Sequence, residues 1–314
     1  MHCCSRRGFL AQSAATAGVL TLGSKPLLAA PLAADQQADM TIAKWAGAAN
    51  PDAKEIEAIA VKLTEQAIAG LGGMQRFVKK GDVIWVKPNI GWDRTPEMAS
   101  NTNPHVVSTI IRLCLEAGAK TVKVGDNTCH AAEKSYHSSG IAAAAKALGA
   151  EVVFLDPSRA KRFDVKGENL KETAIFPEII ESDLVINVPV VKHHSIATAT
   201  VCMKNYMGVV VNRKAFHQDL PTCIADITRF MKPRICVVDA VRILTDHGPT
   251  GGDLADVKTP LTIAAGTDIV ALDAFGVELL GHKPESIGTV AKGAKEKLGT
   301  MDYRSLPLRE IAVS

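Results

Sequence analysis

Short apolar runs alternate along the chain with stretches whose apolar residues recur at helical spacing. The runs at 83–87, 121–124, 152–155 and 184–188 are rich in Val, Ile and Leu, as strands buried on both faces are. Repeated strand–helix–strand order gives a parallel sheet with right-handed crossovers, whose helices cover both faces. We therefore predict a single α/β domain over residues 35–314, Rossmann-like and with a mostly parallel sheet.

Several polar residues predict where helices and excursions begin. Asn50-Pro51 and Asn103-Pro104 each combine a capping side chain with a proline suited to the first helical position, and Asp268 precedes another apolar helix. The charged, Gly-containing residues 158–176 interrupt the alternation, which predicts a small hairpin or excursion there.

The first 34 residues have the order of a twin-arginine export signal. Arg6 and Arg7 are followed by Phe9, by an apolar run from Ala11 to Leu22 and by small residues up to Ala34. The run is too short for a permanent membrane anchor, and no later segment reads as one. We expect the twin-arginine translocation machinery to be a partner of the precursor, and the mature protein to be periplasmic or extracellular.

The net charge and the cysteine pattern argue against some classes of partner and cofactor. The chain carries a formal net charge of +3, and residues 1–34 hold three basic residues and no acidic one. The remainder is therefore neutral, which argues against nucleic acid as a partner. Beyond the signal the cysteines are odd in number and without a C-x-x-C pair, so they form neither a disulfide framework nor a ferredoxin-type cluster motif.

The positions of the cysteines in the predicted elements indicate which thiols of the mature chain are structural. Cys114 falls on the apolar face of a helix and Cys236 in a strand, which predicts two buried structural thiols. Cys129 and Cys202 fall in loops close to the segment where a ligand is expected.

Residues 183–208 form the segment around which the candidate site is organised. The strand 184–188 is followed by Pro189, which has no N–H for a sheet and is expected to end regular pairing. Ligands of open α/β sheets bind outside the carboxyl ends of the strands, and the polar residues of this segment come directly after such an end.

Lysines and amides gather at several strand ends. Lys87, Asn89, Lys192 and the pair Lys204-Asn205 lie at or just beyond the carboxyl end of a strand, as Asn127 and Asn187 also do. Ammonium and amide groups suit a phosphate or carboxylate, so we predict a small anionic ligand. The alternative is a set of separate, solvated lysines.

Histidines and strand-end carboxylates supply candidates for proton transfer or metal binding. His193, His194 and His217 lie in polar segments, and Asp126 and Asp239 follow strands. Imidazole is the commonest transition-metal ligand, so His193, His217 and Asp239 form a candidate metal site. The spacing matches no zinc motif, and loop histidines bonded to the backbone are the alternative. Since His193 and His194 are adjacent, an extended segment points them to opposite sides.

A series of motifs resembles the family called domain of unknown function 362. It comprises Val86-Lys-Pro-Asn89, Asn103-Pro-His105, Gly118-Ala-Lys-Thr-Val, Gly125-Asp126, Asn187-Val-Pro, Lys204-Asn-Tyr-Met-Gly208, Asp239-Ala, Gly248-Pro-Thr-Gly251 and Asp268-Ile-Val-Ala-Leu-Asp273. The resemblance spans residues 40–300. It implies a Lys and a His after the central strand, which Lys192 with His193 or His194 supplies. Some relatives carry iron–sulfur ferredoxin segments, which hints at redox work, but this sequence has no such segment.

These observations lead to one functional hypothesis and one rival. The hypothesis is an exported metal- or cofactor-dependent protein that acts on a small anionic molecule, with an oxidoreductase as the candidate enzyme class. Lys87, Asn89, Asp126, Lys192 and Asn205 then bind the ligand, and the catalytic groups are His193, His194, Lys204 and Asp239. The rival is a periplasmic anion-binding or redox-accessory protein without turnover.

The export signal makes a direct prediction. Replacing Arg6 and Arg7 by Lys keeps the charge but removes the paired guanidinium groups, so the precursor is expected to stay in the cytoplasm. Fractionation of cells followed by immunoblotting measures this. Normal accumulation of the double variant in the periplasm would contradict the assignment.

Overall fold

The computed structural model describes residues 37–314. The proposed signal, residues 1–34, lies outside the described residues. Within them the strands are β1 (Met40–Trp45), β2 (Val83–Pro88), β3 (Thr121–Val124), β4 (Glu151–Val152), β5 (Lys161–Asp164), β6 (Glu172–Ile175), β7 (Leu184–Val188), β8 (Val190–His194), β9 (Thr198–Thr200), β10 (Cys236–Leu244), β11 (Val257–Lys258), β12 (Thr262–Gly266) and β13 (Leu308–Val313).

The helices alternate with the strands over much of the chain. They are α1 (Ala53–Gly70), α2 (Pro104–Glu116), α3 (Ala132–Ser138), α4 (Ile141–Ala147), α5 (Pro177–Ile180), α6 (Cys202–Asn205), α7 (Leu220–Met231), α8 (Ile269–Leu279) and α9 (Gly288–Lys295), with short 3₁₀ segments between them. No helix of residues 37–314 is both long and apolar enough to span a membrane.

One large sheet runs through the molecule in the order β13-β1-β12-β10-β7-β2-β3-β4. The pairs β10–β7, β7–β2, β2–β3 and β3–β4 are parallel, as is β1–β13, whereas β12 is antiparallel to both β1 and β10. Along this order β12 alone runs against the rest. The α/β prediction with a mostly parallel sheet is confirmed.

Helices cover both faces of the sheet, because successive strand residues point in opposite directions. In β2, Ile84 and Val86 belong to a core shared with helices α1, α2 and α4, while Trp85 belongs to a second core shared with α7, α8 and α9. The strands are therefore buried on both sides, as a parallel sheet requires.

Helix starts follow capping chemistry, with one correction. Asn103 caps α2 by accepting the N–H of His105, and Asp268 caps α8 by accepting the N–H of Ala271. The first helix begins later than the Asn50-Pro51 pair predicts. Asp52 caps it in a capping box with Glu55, because its carboxylate and that of Glu55 each accept the other residue's N–H.

The strand β7 ends at Val188 as predicted, but two other expectations about strand ends are wrong. Pro189 does not end regular pairing, since its carbonyl accepts the N–H of Asp239 at 2.8 Å and β8 continues beside β10. Asp239 lies in the middle of β10 and not at its carboxyl end. The excursion at 158–176 is a two-stranded antiparallel hairpin, β5–β6, in agreement with the sequence.

Burial separates one cysteine from the other four in the described chain. Cys114, Cys202, Cys223 and Cys236 are buried, and Cys129 is exposed. Burial raises the pKa of Cys114 to about 12, which suppresses its reactive thiolate. The structural placement of Cys114 and Cys236 is confirmed, and Cys202 joins them in the core.

Native thiol labelling is expected to be dominated by Cys129. The buried cysteines are expected to react more than about 100-fold more slowly, because a local opening of the core must come first. Maleimide labelling followed by peptide mass mapping reads each cysteine separately. Fast native labelling of Cys114 or Cys236 would contradict the described core.

Candidate functional site

A cavity of about 400 Å³ lies at the carboxyl ends of β2 and β3, beside the β8–β9 hairpin. Its walls come from the loops after β2 and β3, from that hairpin, and from the segment that contains α6. The lining residues used below are Asn89, Trp92, Asp126, Asn127, Cys129, Lys192, His194, Ile196, Lys204, Asn205, Met207, Arg213, Lys214, His217 and Pro249.

The short helix α6 is held in place by a buried carboxylate. Asp273 of α8 accepts the N–H groups of Cys202 and Met203, at 2.5 and 3.2 Å. These are among the N–H groups of the first turn that no helix satisfies internally, and an acceptor there also suits the helix dipole. The arrangement brings Lys204 and Asn205 to the cavity.

Lys192 is fully buried, and its ammonium joins three separate segments. Its Nζ donates to Asn89 Oδ1 at 3.0 Å, to the Ser100 carbonyl at 2.5 Å and to the Pro249 carbonyl at 3.3 Å. An ammonium has three N–H donors, so these neutral oxygens occupy all of them. Burial lowers the pKa of Lys192 to about 7.

A chain of side-chain amides runs from Lys192 into the protein. Asn89 Nδ2 donates to Asn205 Oδ1 at 3.0 Å, and Asn205 Nδ2 donates to Asn187 Oδ1 at 2.8 Å. Asn187 Nδ2 then donates to the Cys202 carbonyl at 2.8 Å. Each amide uses its oxygen toward Lys192 and its nitrogen away from it, so the ammonium fixes the direction of the chain.

Asp126, which lines the cavity, forms a buried ion pair with Lys87. Lys87 Nζ lies 2.7 Å from Asp126 Oδ1, and the second oxygen of Asp126 accepts the N–H of Ile90. Gly208 lies directly against the pair, since a Cβ there would come within 1.9 Å of Asp126 Oδ1. The glycine is required by this close approach of the backbone. Its φ is not positive, so a tight turn is not the reason.

Lys204 and Arg213 present the cavity with charge that no carboxylate neutralises. Within residues 37–314, the Lys204 ammonium has no hydrogen-bond or ion-pair partner. Burial lowers its pKa to about 8. Arg213 is fixed by donating to the carbonyls of Asn127 and Thr128, at 2.9 and 2.7 Å.

The two adjacent histidines point to different surroundings. His194 lines the cavity, and its Nδ1 accepts the N–H groups of Ile196 and Ala197 at 3.1 and 3.3 Å. Burial, together with nearby cations, lowers its pKa to about 3, so the ring is neutral and carries its proton on Nε2. His193 Nδ1 instead accepts the N–H of Gly248, and the residue does not line the cavity.

The three residues predicted to bind a metal do not converge. His217 is exposed at the cavity, and His193 belongs to the glycine-rich loop contact. Asp239 is fully buried and accepts the N–H groups of Asn103 and Val241, at 2.7 and 3.0 Å. Asp239 therefore joins β10 to the start of α2, away from the cavity.

Another group of possible metal ligands lies elsewhere in the described chain. Asp246, His247 and Asp256 offer ligand atoms within 4.8 Å of one another, on loops outside the cavity. His247 and Asp256 already form an ion pair of 2.9 Å. No other group of three meets this criterion in residues 37–314.

Sequence reasoning missed the cations that follow α6. Arg213 and Lys214 come shortly after the apolar run Val209-Val210-Val211, and this basic pair following an apolar run was the available signal. Trp92 and Met207 were missed because an isolated apolar residue reads as core. Of the predicted ligand-binding residues, Asn89, Asp126, Lys192 and Asn205 line the cavity, whereas Lys87 lies beneath it.

Fold and site together define an α/β protein with a cationic pocket at the carboxyl edge of a mostly parallel sheet. The chain belongs to the family called domain of unknown function (DUF362), whose model matches residues 84–278. The matched region includes β3, β7–β10, α6 and all of β2 except Val83, and it contains every residue that lines the cavity.

Two individual proteins are similar to the chain. The thylakoid-associated protein sll1697 of Synechocystis sp. (strain ATCC 27184 / PCC 6803 / Kazusa) is 29% identical over 239 residues, which cover 73% of this chain and 72% of that protein. The structure of the lactate racemase apoprotein from Thermoanaerobacterium thermosaccharolyticum aligns with a TM-score of 0.47 and 10% identity, over 76% of this chain. The alignment spans 56% of the length of that racemase.

The buried ion pair makes a prediction about stability. Replacing Lys87 by Met leaves the Asp126 carboxylate buried without its partner, which is expected to cost roughly 3–5 kcal/mol in free energy of unfolding. The double variant Lys87→Met with Asp126→Asn removes both charges and is expected to recover a large part of that loss. Urea unfolding measures both. A single variant as stable as the wild type would show that the pair contributes nothing.

Proposed function

We propose that the chain binds a small anionic molecule, a carboxylate or a phosphate, in the cavity beside α6. The single observation that supports this most is Lys204, a partly buried ammonium that faces the cavity and has no protein partner in residues 37–314. An unpaired charge at such a position is costly, and an anion would offset that cost.

The proposal divides the predicted lysines into different roles. Lys192 contributes positive potential from within the cavity wall and no free donor, because its three donors are already used by protein oxygens. Lys204 supplies free N–H donors, and neutral His194 supplies one more from Nε2. Charge-assisted donors of the Lys204 kind are the stronger ones for a carboxylate or phosphate.

The site also has groups that can move protons. Lys204 has a pKa of about 8, close to neutral pH, which is where an efficient general acid is poised. An enzyme that protonates a bound anion is therefore one form of the proposal. A binding protein without turnover is the other, and both use the same residues.

A metal- or cofactor-dependent oxidoreductase needs more than this pocket supplies from its own side chains. His193, His217 and Asp239 lie apart, so we do not assign a metal to them. The present proposal is limited to the anion and the residues that contact it.

We also propose that the protein is exported through the twin-arginine route and acts in the periplasm or outside the cell. The support is the order of Arg6-Arg7, the apolar run and the small residues in the sequence. Since that route carries folded proteins, the cavity would already be formed when the chain crosses the membrane.

The proposal predicts how binding depends on Lys204 and on pH. Isothermal titration with succinate at pH 6.5 and low salt is expected to show binding, and Lys204→Met should weaken it by about 1.5–3 kcal/mol, tenfold or more. Affinity should fall as pH rises from 7 toward 9, because Lys192 and Lys204, with pKa values of about 7 and 8, lose their charge. Succinate keeps its own charge over this range.

Lys120→Met is the matched control, because Lys120 is exposed at the opposite, amino end of β3. It removes one lysine charge from the surface and is expected to leave affinity and its pH dependence unchanged. Equal losses in the two variants, or affinity that rises with pH, would contradict anion binding at Lys204.

A further inference from the structure

The cavity contains more positive charge than one monovalent anion would balance. Lys192, Lys204, Arg213 and Lys214 all line it, and none of the four forms an ion pair with a carboxylate in residues 37–314. The acidic lining residue, Asp126, is already neutralised by Lys87 at 2.7 Å. Like charges collected in one small cavity repel one another, so a ligand with one negative charge leaves most of this repulsion in place.

Different segments hold the cations of the cavity. Burial is the main cause that lowers the pKa of Lys192 and of Lys204, and repulsion from a neighbouring cation adds to it in each case. For Lys192 that neighbour is Lys204, and for Lys204 it is Arg213. Lys192 is held by Asn89, Ser100 and Pro249, whereas Arg213 is held by the carbonyls of the loop after β3, so the two cations belong to different walls of the cavity. We call the buried Lys192 the inner cation, and Arg213 with the exposed Lys214 the outer pair.

The two residues of the outer pair, Arg213 and Lys214, differ in how they are held. Arg213 is anchored to the loop after β3 through two carbonyls, whereas the Lys214 side chain is exposed and has no partner in the described chain. An exposed, flexible ammonium beside an anchored guanidinium offers donors to a second anionic group at the mouth of the cavity.

The lining of the cavity also includes apolar side chains. Trp92, Ile196 and Met207 line the cavity, and its volume of about 400 Å³ lies within the range of sites for organic ligands. A carbon skeleton can contact these side chains while its charged ends reach the cations.

We propose that the ligand is an organic molecule with at least two separated anionic groups, carboxylate or phosphate. One group binds at Lys204 and His194, and the second binds at Arg213 and Lys214. This inference rests on the proposed function and adds to it the charge and shape of the ligand.

The test compares matched ligands that differ by one anionic group. Succinate is compared with butyrate, and 2-phosphoglycolate with ethyl phosphate, so the carboxylate and phosphate forms are separated. The readout is protection of Cys129, an exposed thiol that lines the cavity, from alkylation by iodoacetamide. The concentration that halves the alkylation rate is measured for each ligand at pH 7 and low salt.

In at least one pair, the ligand with two anionic groups is expected to protect at a concentration about tenfold lower or more. Lys214→Gln removes the outer charge at an exposed position without breaking a protein contact. It should reduce this ratio toward one and change the half-protecting concentration of the ligand with one anionic group by less than about twofold. Arg213→Gln should act in the same direction, and Lys120→Gln should leave the ratio unchanged.

The outcomes distinguish a failure of the two-group inference from a failure of the proposed function. If both members of each pair protect within about twofold of one another, or if Lys214→Gln weakens both equally, the two-group inference is overturned while anion binding stands. If no anion protects Cys129 and titration detects no binding, the proposed function fails and this inference fails with it.

Discussion

The site depends on how the buried ammonium of Lys192 is accommodated. A lone charge in a protein interior costs several kcal/mol unless polar groups replace water around it. Here the replacements are oxygens from the loop after β2, from the segment before α2 and from the glycine-rich loop at Pro249. Each of these oxygens belongs to a segment near the cavity. The hydrogen bonds that stabilise the buried charge therefore also fix the cavity wall. The amide chain from Asn89 to Asn187 extends that order to the start of α6.

Lys87 shows the other way in which a buried ammonium is accommodated. Asp126 lies 2.7 Å from it, so its charge is cancelled locally and contributes little to the field in the cavity. Neutral oxygens stabilise Lys192 without cancelling its charge, and its field therefore reaches the ligand position. Two buried lysines on strands of the same sheet thus have opposite electrostatic consequences. The difference lies in the partner and not in the lysine.

The sequence predicted the strands and the gathering of polar groups better than it predicted their partners. β3 and β7 match their predicted bounds, because strands buried on both faces leave continuous apolar runs. Lys192, Lys204 and His194 all line one cavity because they follow from one strand end. Pairing beyond Pro189 was not predictable from local sequence, since β10 is more than 40 residues away. The role of Asp239 was hidden for the same reason, because its partner Asn103 lies 136 positions from it.

The role of each cation follows from where it lies in the fold. Lys87 and Lys192 are on strands, where the backbone is rigid and surrounded by other loops, and their donors are used within the protein. Lys204 and Lys214 lie on a four-residue helix and a 3₁₀ segment, where fewer protein acceptors are in reach, and their ammonium groups remain available. The strand lysines therefore build and polarise the wall, and the lysines of the irregular segments meet the ligand. In such a site, a change at a strand lysine alters the shape of the pocket first, whereas a change at Lys204 or Lys214 alters binding without altering the frame.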